Sequence, residues 1–275
     1  MFRLDKTRKY TMTNYETISF ETGNAVASIT LNRPEAMNSI SAKMVEELSN
    51  AISIVAGDDD LRALIVTGTG RAFCCGADLK GVLAETQTGK TEGFTGFLEA
   101  IQDVLIQLRE LPKPTIAALN GMTLAGGLEM AIACDIVLAA RSARIGDSHS
   151  NFGVLPGGGG GTILPRFIGE KKANLLLFSG DNWPAEEFEK MGFVSAVHDD
   201  DALLDEARKL AEKLAQKSPL VLARMKEMVD QGARLDTRDA LALESRLLDE
   251  HAQSADFLEG LSAFAEKRAP KYTGT

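Results

Sequence analysis

One carboxylate stands apart in this sequence. From Gly121 to Cys134 the chain reads GMTLAGGLEMAIAC, and Glu129 is the only ionisable carboxylate in it. An apolar setting disfavours the charged form of an isolated carboxyl, and enzymes use such groups to pass protons near neutral pH. The competing reading is a glutamate on a helix edge that reaches solvent. On this stretch alone the two readings weigh equally. Glycines mark two further places, Gly76-Ala77 and Gly126-Gly127. Each follows a strand-like run and precedes a helix-like one. N–H groups at a helix start are hydrogen-bond donors with a favourable dipole. Two such donors aimed at one oxygen make an oxyanion hole, where loss of one donor costs about 3 kcal/mol of barrier.

Better-known glycine motifs are absent. No GxGxxG occurs, and Gly89-Lys90-Thr91 lacks the upstream glycine of a phosphate loop because position 84 is Ala84. GxSxG is absent too, which leaves a hydrolase serine elbow unsupported.

Periodicity supplies the elements that must position these groups. YETISFE and AVASITL, with Gly23-Asn24 between them, read as two β segments within residues 15 to 31. Arg33-Pro34 breaks the strand. Ser41 is placed to N-cap a helix with Met44, Val45, Leu48, Ile52 and Val55 on one face, ended by Gly57 and Asp58 to Asp60. Residues 62 to 68 read as a buried strand, 69 to 81 as a loop, and 85 to 96 as a polar, glycine-rich loop. Leu98, Ile101, Val104, Leu105 and Leu108 mark an amphipathic helix stopped by Pro112 and Pro114. A strand (115 to 119), the turn pair Asn120-Gly121, a helix (128 to 134) and another strand (136 to 140) follow. Residues 143 to 161 form a long glycine-rich segment. Helices are expected near 170 to 178 and 184 to 190, with a last strand over 193 to 199. Beyond residue 201 the chain reads as almost all helix. The chain thus divides into a frayed tail over 1–14, a β/α body over 15–198 and a helical region over 199–275. An open α/β layer and a coiled β/α stack both fit this α/β pattern.

The totals bound the function class. With 275 residues, 44 % hydrophobic and 25 % charged, the composition is that of a globular protein. A net charge of -9 argues against a nucleic-acid-binding surface. Cys74, Cys75 and Cys134 form no CxxC, so neither a disulfide framework nor a zinc site is suggested, and a reducing cytoplasm fits best. No apolar run approaches the roughly 20 residues of a membrane span. The first 14 residues lack the apolar middle of a secretion signal.

Five segments occur in a telling order: ITLNRPEAMNSIS, GRAFCCGADLK, KPTIAALNGMTLAGGLEMAIACD, FGVLPGGGGGTILPRFIG and AFAEKRAPKY. In these the chain resembles the crotonase, or enoyl-CoA hydratase/isomerase, superfamily, from about residue 15 to about residue 268. The resemblance implies a coiled β/α spiral with a helical C-terminal oligomerisation region, and trimers that commonly pair into hexamers. It implies that the N–H groups of Ala77, after Gly76, and of Gly126 hold the thioester oxygen of an acyl-CoA. Ala36, Cys75 and Ala77 would border the coenzyme A arm. Phe264 and Lys267 match tail positions that complete the coenzyme A site, often across a subunit boundary. No cofactor is implied beyond the coenzyme A carried by the substrate.

One departure matters. The resemblance implies a second glutamate four residues before the glycine of FGVLPG, and this chain has His149 there. With an ordinary pKa near 6.5, histidine can accept or donate a proton at neutral pH. Asp147 lies two residues earlier. In an extended segment both side chains face the same way, and Asp147 then orients the imidazole or acts itself. The plainer alternative for Asp147 is a turn carboxylate capping local N–H groups. The first functional reading is hydration of a 2-enoyl-CoA, with Glu129 activating water and His149 assisting. Double-bond isomerisation, C–C or thioester hydrolysis through His149, and a catalytically idle acyl-CoA binding protein are the alternatives.

Overall fold

A computed structural model describes residues 11–80, 83 and 91–275 of the chain. Its strands are β1 (Thr11–Asn14), β2 (Ile18–Gly23), β3 (Val26–Leu31), β4 (Ala63–Gly68), β5 (Ala72–Cys74), β6 (Thr115–Leu119), β7 (Met122–Leu124), β8 (Ile136–Ala140), β9 (Arg144–Gly146), β10 (Asn182–Pro184) and β11 (Ala196–His198). Its α-helices are α1 (Ala42–Gly57), α2 (Thr91–Glu110), α3 (Gly126–Ala133), α4 (Leu164–Ile168), α5 (Glu170–Ser179), α6 (Ala185–Lys190), α7 (Leu203–Ala215), α8 (Pro219–Gly232), α9 (Thr237–Ala252) and α10 (Ala255–Glu266).

Two sheets carry the strands. The larger runs β1-β2-β3-β4-β6-β8-β11, and the smaller runs β10-β9-β7-β5. From β3 to β11 the larger sheet is parallel, and so are β5, β7 and β9 in the smaller one. The chain therefore coils. Each turn places one strand in the large sheet and the next, short strand in the small sheet: β4 then β5, β6 then β7, β8 then β9. This is the coiled β/α arrangement of the two alternatives.

Burial explains the residue choice. β6 is buried throughout and β4 through its first five residues, which is why both are continuous apolar runs rather than alternating ones. The α1 helix starts where Ser41 Oγ accepts the Met44 N–H at 3.2 Å, and it buries Met44, Val45, Leu48, Ile52 and Val55. Its last turn has a cap with no signal in the local sequence. The buried Lys113 ammonium donates to Val55 O at 2.6 Å and to Asp58 O at 2.7 Å, meeting the negative end of the helix.

Several boundaries differ from the sequence reading. Residues 11–14 are an antiparallel edge strand on β2 rather than part of a frayed tail, because β2 offers unpaired main-chain groups there; residues 1–10 lie outside the described residues. The loop expected over 69 to 81 contains β5, and the small sheet takes short pieces of segments read as turns. Strands of three residues are too short to show alternation. Of the expected loop at 85 to 96, residues 85–90 lie outside the described residues, and 91–96 form the first turns of α2. Gly93 and Gly96 weaken a helix, but packing of Ile101, Val104, Leu105 and Leu108 downstream carries this one. Helix α7, read as part of the helical tail, lies across β3, β4, β6 and β8, with Leu203, Ala207 and Ala211 in the main core. Among the described residues no helix is long and apolar enough to cross a membrane.

Helix α3 is seated by one close approach. A Cβ on Gly127 would stand 2.1 Å from the carbonyl oxygen of Cys74 at the end of β5. Neither partner is a flexible side chain, so the two main chains must part to admit a methyl group. Gly127→Ala is expected to destabilise the fold by about 1–3 kcal/mol, the usual range for overpacking. Denaturant unfolding checks this, and an unchanged midpoint contradicts the close seating.

Candidate active site

Three loops leave the carboxyl ends of β5, β7 and β9. These strands are parallel neighbours, with Cys74 paired to Thr123 and Leu124 to Gly146. The loops therefore emerge side by side, as ligand-binding loops do in open α/β sheets.

The first loop is Cys75-Gly76-Ala77. The segment before α1 is laced to it. Cys75 N–H donates to Met37 O at 3.1 Å, Ile40 N–H to Gly76 O at 2.8 Å, and Asp78 N–H to Ile40 O at 2.9 Å. In this parallel bridge the residues on either side of Ala77 bond to Ile40, so the Ala77 N–H points the other way. The start of α3 lies close to this loop. A Cβ on Gly126 would be 3.7 Å from the Ala77 nitrogen, and a Cβ on Gly76 would be 3.2 Å from the Gly126 nitrogen. Gly126 opens its helix. Its N–H stands ahead of the first helical bond, from Glu129 N–H to Ala125 O at 3.0 Å. Ala125, at φ 50° and ψ -120°, makes the sharp entry. Ala77 and Gly126 thus lie close together, and both line a cavity of about 360 Å³. This arrangement can receive one carbonyl oxygen.

Glu129, one turn into α3, lines the same cavity and is only 4 % exposed. It is not the partnerless carboxylate that its neighbours in sequence suggest. The glycine run 157–161 folds over it, and Oε1 accepts Gly158 N–H at 2.6 Å and Gly160 N–H at 3.1 Å. Gln102 of α2 donates to Gly157 O at 3.1 Å and anchors the run.

His149 follows the third loop. The segment is not the extended one in which both side chains would face the same way. Ser148 is left-handed, at φ 64°, and His149–Phe152 is a 3₁₀ turn. The bend still joins the pair: His149 N–H donates to Asp147 Oδ1 at 3.1 Å, and ring Nδ1 lies 2.9 Å from the same oxygen. Asp147 therefore caps a main-chain N–H, as the plainer alternative had it, and also meets the imidazole. Burial pulls the His149 pKa down, but the hydrogen bond and charge of Asp147 and the charge of Glu129 prevail, and it stands above its ordinary value.

Ala77, Gly126, Glu129, His149 and Cys75 all line the cavity. Burial pushes the Cys75 thiol up to about 11, against a smaller opposing effect of Arg71, so it stays a neutral wall residue. Ala36 is half-buried on the 3₁₀ turn Pro34–Ala36 and does not line the cavity. Phe264, 86 % exposed on α10, and Lys267, the left-handed cap of that helix, do not line the cavity of this chain. Sequence reasoning missed the Arg33–Asp78 ion pair at 3.0 Å, in which the same guanidinium also donates to Ser39 O at 2.7 Å and ties the first loop to the segment before α1. Nothing local marks a contact across 45 residues. The N–H donors of Gly158 and Gly160 had a visible signal, the glycine run itself.

A profile of the enoyl-CoA hydratase/isomerase family matches residues 21–275. The chain belongs to this family. It is 39 % identical over 259 residues to the Mycobacterium bovis protein named "Probable enoyl-CoA hydratase echA8", covering 94 % of this chain and 98 % of that one. It is 38 % identical over 251 residues to 1,2-epoxyphenylacetyl-CoA isomerase of Escherichia coli, covering 90 % and 95 %. The crystal structure of an enoyl-CoA hydratase from Bacillus anthracis superposes with a TM-score of 0.89 at 35 % identity, over 94 % of this chain and 100 % of that one. Hydratase and isomerase both occur among the relatives of this enoyl-CoA hydratase/isomerase family member, so the names do not separate the reactions.

The close approach of these two loops depends on Gly76, at φ 91°, whose added Cβ would lie 2.9 Å from Ala125 Cβ. Gly76→Val pushes the two loops apart. Turnover of the thioester substrate is expected to fall by about 10²–10³-fold, as for loss of one oxyanion donor. Steady-state kinetics on the folded variant check this, and undiminished kcat contradicts the pairing of the donors.

Proposed function

We propose that this family member is an enoyl-CoA hydratase that adds water across the double bond of a 2-enoyl-CoA. One observation carries the reading: two acid/base side chains, Glu129 and His149, line the same cavity as the Ala77 and Gly126 N–H groups. Hydration needs one group to deprotonate water and a second to protonate the α-carbon. It also needs donors for the charge that gathers on the thioester oxygen. Isomerisation needs only one mobile base, and the second titratable group favours hydration.

In this reading the thioester oxygen lies between the Ala77 and Gly126 N–H groups. Water adds at the β-carbon as Glu129 takes its proton, and His149 serves the proton at the α-carbon. Ile40, Leu79, Leu98, Ile101 and Phe152 give the cavity an apolar wall suited to an acyl chain. Coenzyme A arrives as part of the substrate, passing Cys75 and Ala36, and no other cofactor is needed. We assign Phe264 and Lys267 to the coenzyme A site of a neighbouring subunit in a homotrimer or a dimer of trimers. The exposed Leu258, Leu261 and Phe264 of α10 support an interface between copies.

Crotonyl-CoA tests the reaction. Its enoyl-thioester absorbance is expected to decay with the unaltered enzyme. Glu129→Gln and His149→Ala are each expected to lower kcat by about 10²–10⁴-fold, the usual worth of positioned acid/base groups. No decay alongside measurable binding contradicts the hydratase reading. Double-bond migration in a 3-enoyl-CoA without hydration replaces it with isomerisation, and release of free thiol replaces it with thioester hydrolysis.

A further inference from the structure

The carboxylate behind His149 has a lopsided set of partners. Asp147 is 1 % exposed. Its Oδ1 accepts the His149 main-chain N–H and meets ring Nδ1 at 2.9 Å, while Oδ2 is enclosed with no hydrogen-bond partner among the described residues. Ionised, Asp147 can only accept, so Nδ1 carries a hydrogen and Nε2 is the ring atom whose protonation varies. An ionised carboxylate so enclosed needs a cation against it, and His149 is its ion-pair partner among the described residues. A methyl group built on Gly160 would lie 2.8 Å from Asp147 Oδ2 and 3.4 Å from Glu129 Oε1. A second carboxylate, that of Glu129, therefore lies close to Asp147.

We infer that Asp147 is a positioning residue that holds His149 as an imidazolium with Nε2–H available to the cavity, which makes His149 the acid and Glu129 the base of the hydration. The inference rests on the hydratase reading. In the hydration direction Glu129 takes a proton from water as the O–Cβ bond forms. The π pair of the Cα–Cβ bond moves toward the thioester, whose oxygen gains negative charge. The Cα–H bond then forms with the Nε2 proton, and the imidazole is left neutral with its hydrogen on Nδ1. Glu129 afterwards releases its proton and the imidazole regains one, so protons balance over the cycle.

The charged groups facing the ring are Asp147 from its own turn and Glu129 from α3. Helix α5 packs on the turn at its carboxyl end, where Asn151 donates to Gly180 O at 2.8 Å. Its charged residues Glu170, Lys171 and Lys172 lie at the other end, with Lys172 over the Trp183 ring. From α2 the cavity receives Leu98, Ile101 and Gln102, none of them charged, and the Cys75 thiol is neutral. The raised pKa of His149 sets the sign. The acid form is present at low pH and is lost as pH rises through a value above 6.5, so hydration falls on the alkaline side.

The test is kcat and KM for crotonyl-CoA hydration against pH, in the unaltered enzyme and in Asp147→Asn. The variant is expected to lose about tenfold or more in kcat and to keep KM within about threefold. Its alkaline limb is expected to move down by about one pH unit or more. A folded variant whose limb does not move overturns the inference, because a merely structural role leaves the limb in place. Should Asp147→Asn not fold, ¹⁵N NMR of histidine-labelled unaltered protein decides. The chain has three histidines, so His149→Gln identifies the signal. The expected result is Nδ1 protonated throughout, with Nε2 titrating above 6.5; titration at Nδ1, or below 6.5, overturns it. Absence of hydration by the unaltered enzyme removes the reaction assignment, and the NMR result then judges the histidine separately.

Discussion

The parallel register of β5, β7 and β9 is the constraint on which the rest of the site depends. Cys74 lies against Thr123 and Leu124 against Gly146, so the three chains leave the small sheet together. Ala77, Gly126 and His149 come from segments far apart in sequence, yet each follows one of these strands within a few residues. Strands β4 and β6 of the large sheet pack against β5, and helix α3 packs against β5 and β7. A slip of one residue would turn every side chain of a strand to the other face.

Close main-chain approach does the remaining positioning. Gly127 lets α3 seat against β5, and Gly76 lets the first loop reach the start of α3. The glycine run 157–161 brings two N–H groups onto a buried glutamate. Glycine here serves backbone contact rather than flexibility. The polar groups are handled by pairing. Glu129 is bonded to the main chain and Asp147 to His149, and an unpaired charge in such a place would be costly. The Arg33–Asp78 ion pair extends the same pattern to the rim, tying the loop that carries Ala77 to the segment before α1.

Much of this was legible in the sequence. The long elements show their periodicity: α1 from the spacing of Met44 to Val55, β4 and β6 from unbroken apolar runs. Glycine pairs and one carboxylate in an apolar stretch singled out candidate residues, and the structure brings Ala77, Gly126, Glu129 and His149 to one cavity. What was hidden had a common cause. The strands β5, β7 and β9 have three residues each, and only pairing with neighbours defines them. Residues 11–14 became a strand because β2 had an open edge. Lys113 capping α1 and Arg33 gripping Asp78 are contacts across long stretches of chain, which no local pattern records. The left-handed Ser148 brought His149 to Asp147 by a bend, although an extended segment had suggested the same meeting for a different reason.

In the proposed hydration the Ala77 and Gly126 N–H groups and the Glu129 and His149 side chains surround one thioester. A crystal structure of the Glu129→Gln variant with crotonyl-CoA bound tests it most directly. The hydratase mechanism predicts the thioester oxygen about 2.7–3.1 Å from both the Ala77 and Gly126 nitrogens, the range of a working oxyanion contact. It also predicts the Cα–Cβ bond between residue 129 and the His149 ring. A thioester oxygen bonded elsewhere, or an acyl chain that leaves His149 out of reach of the α-carbon, would contradict it.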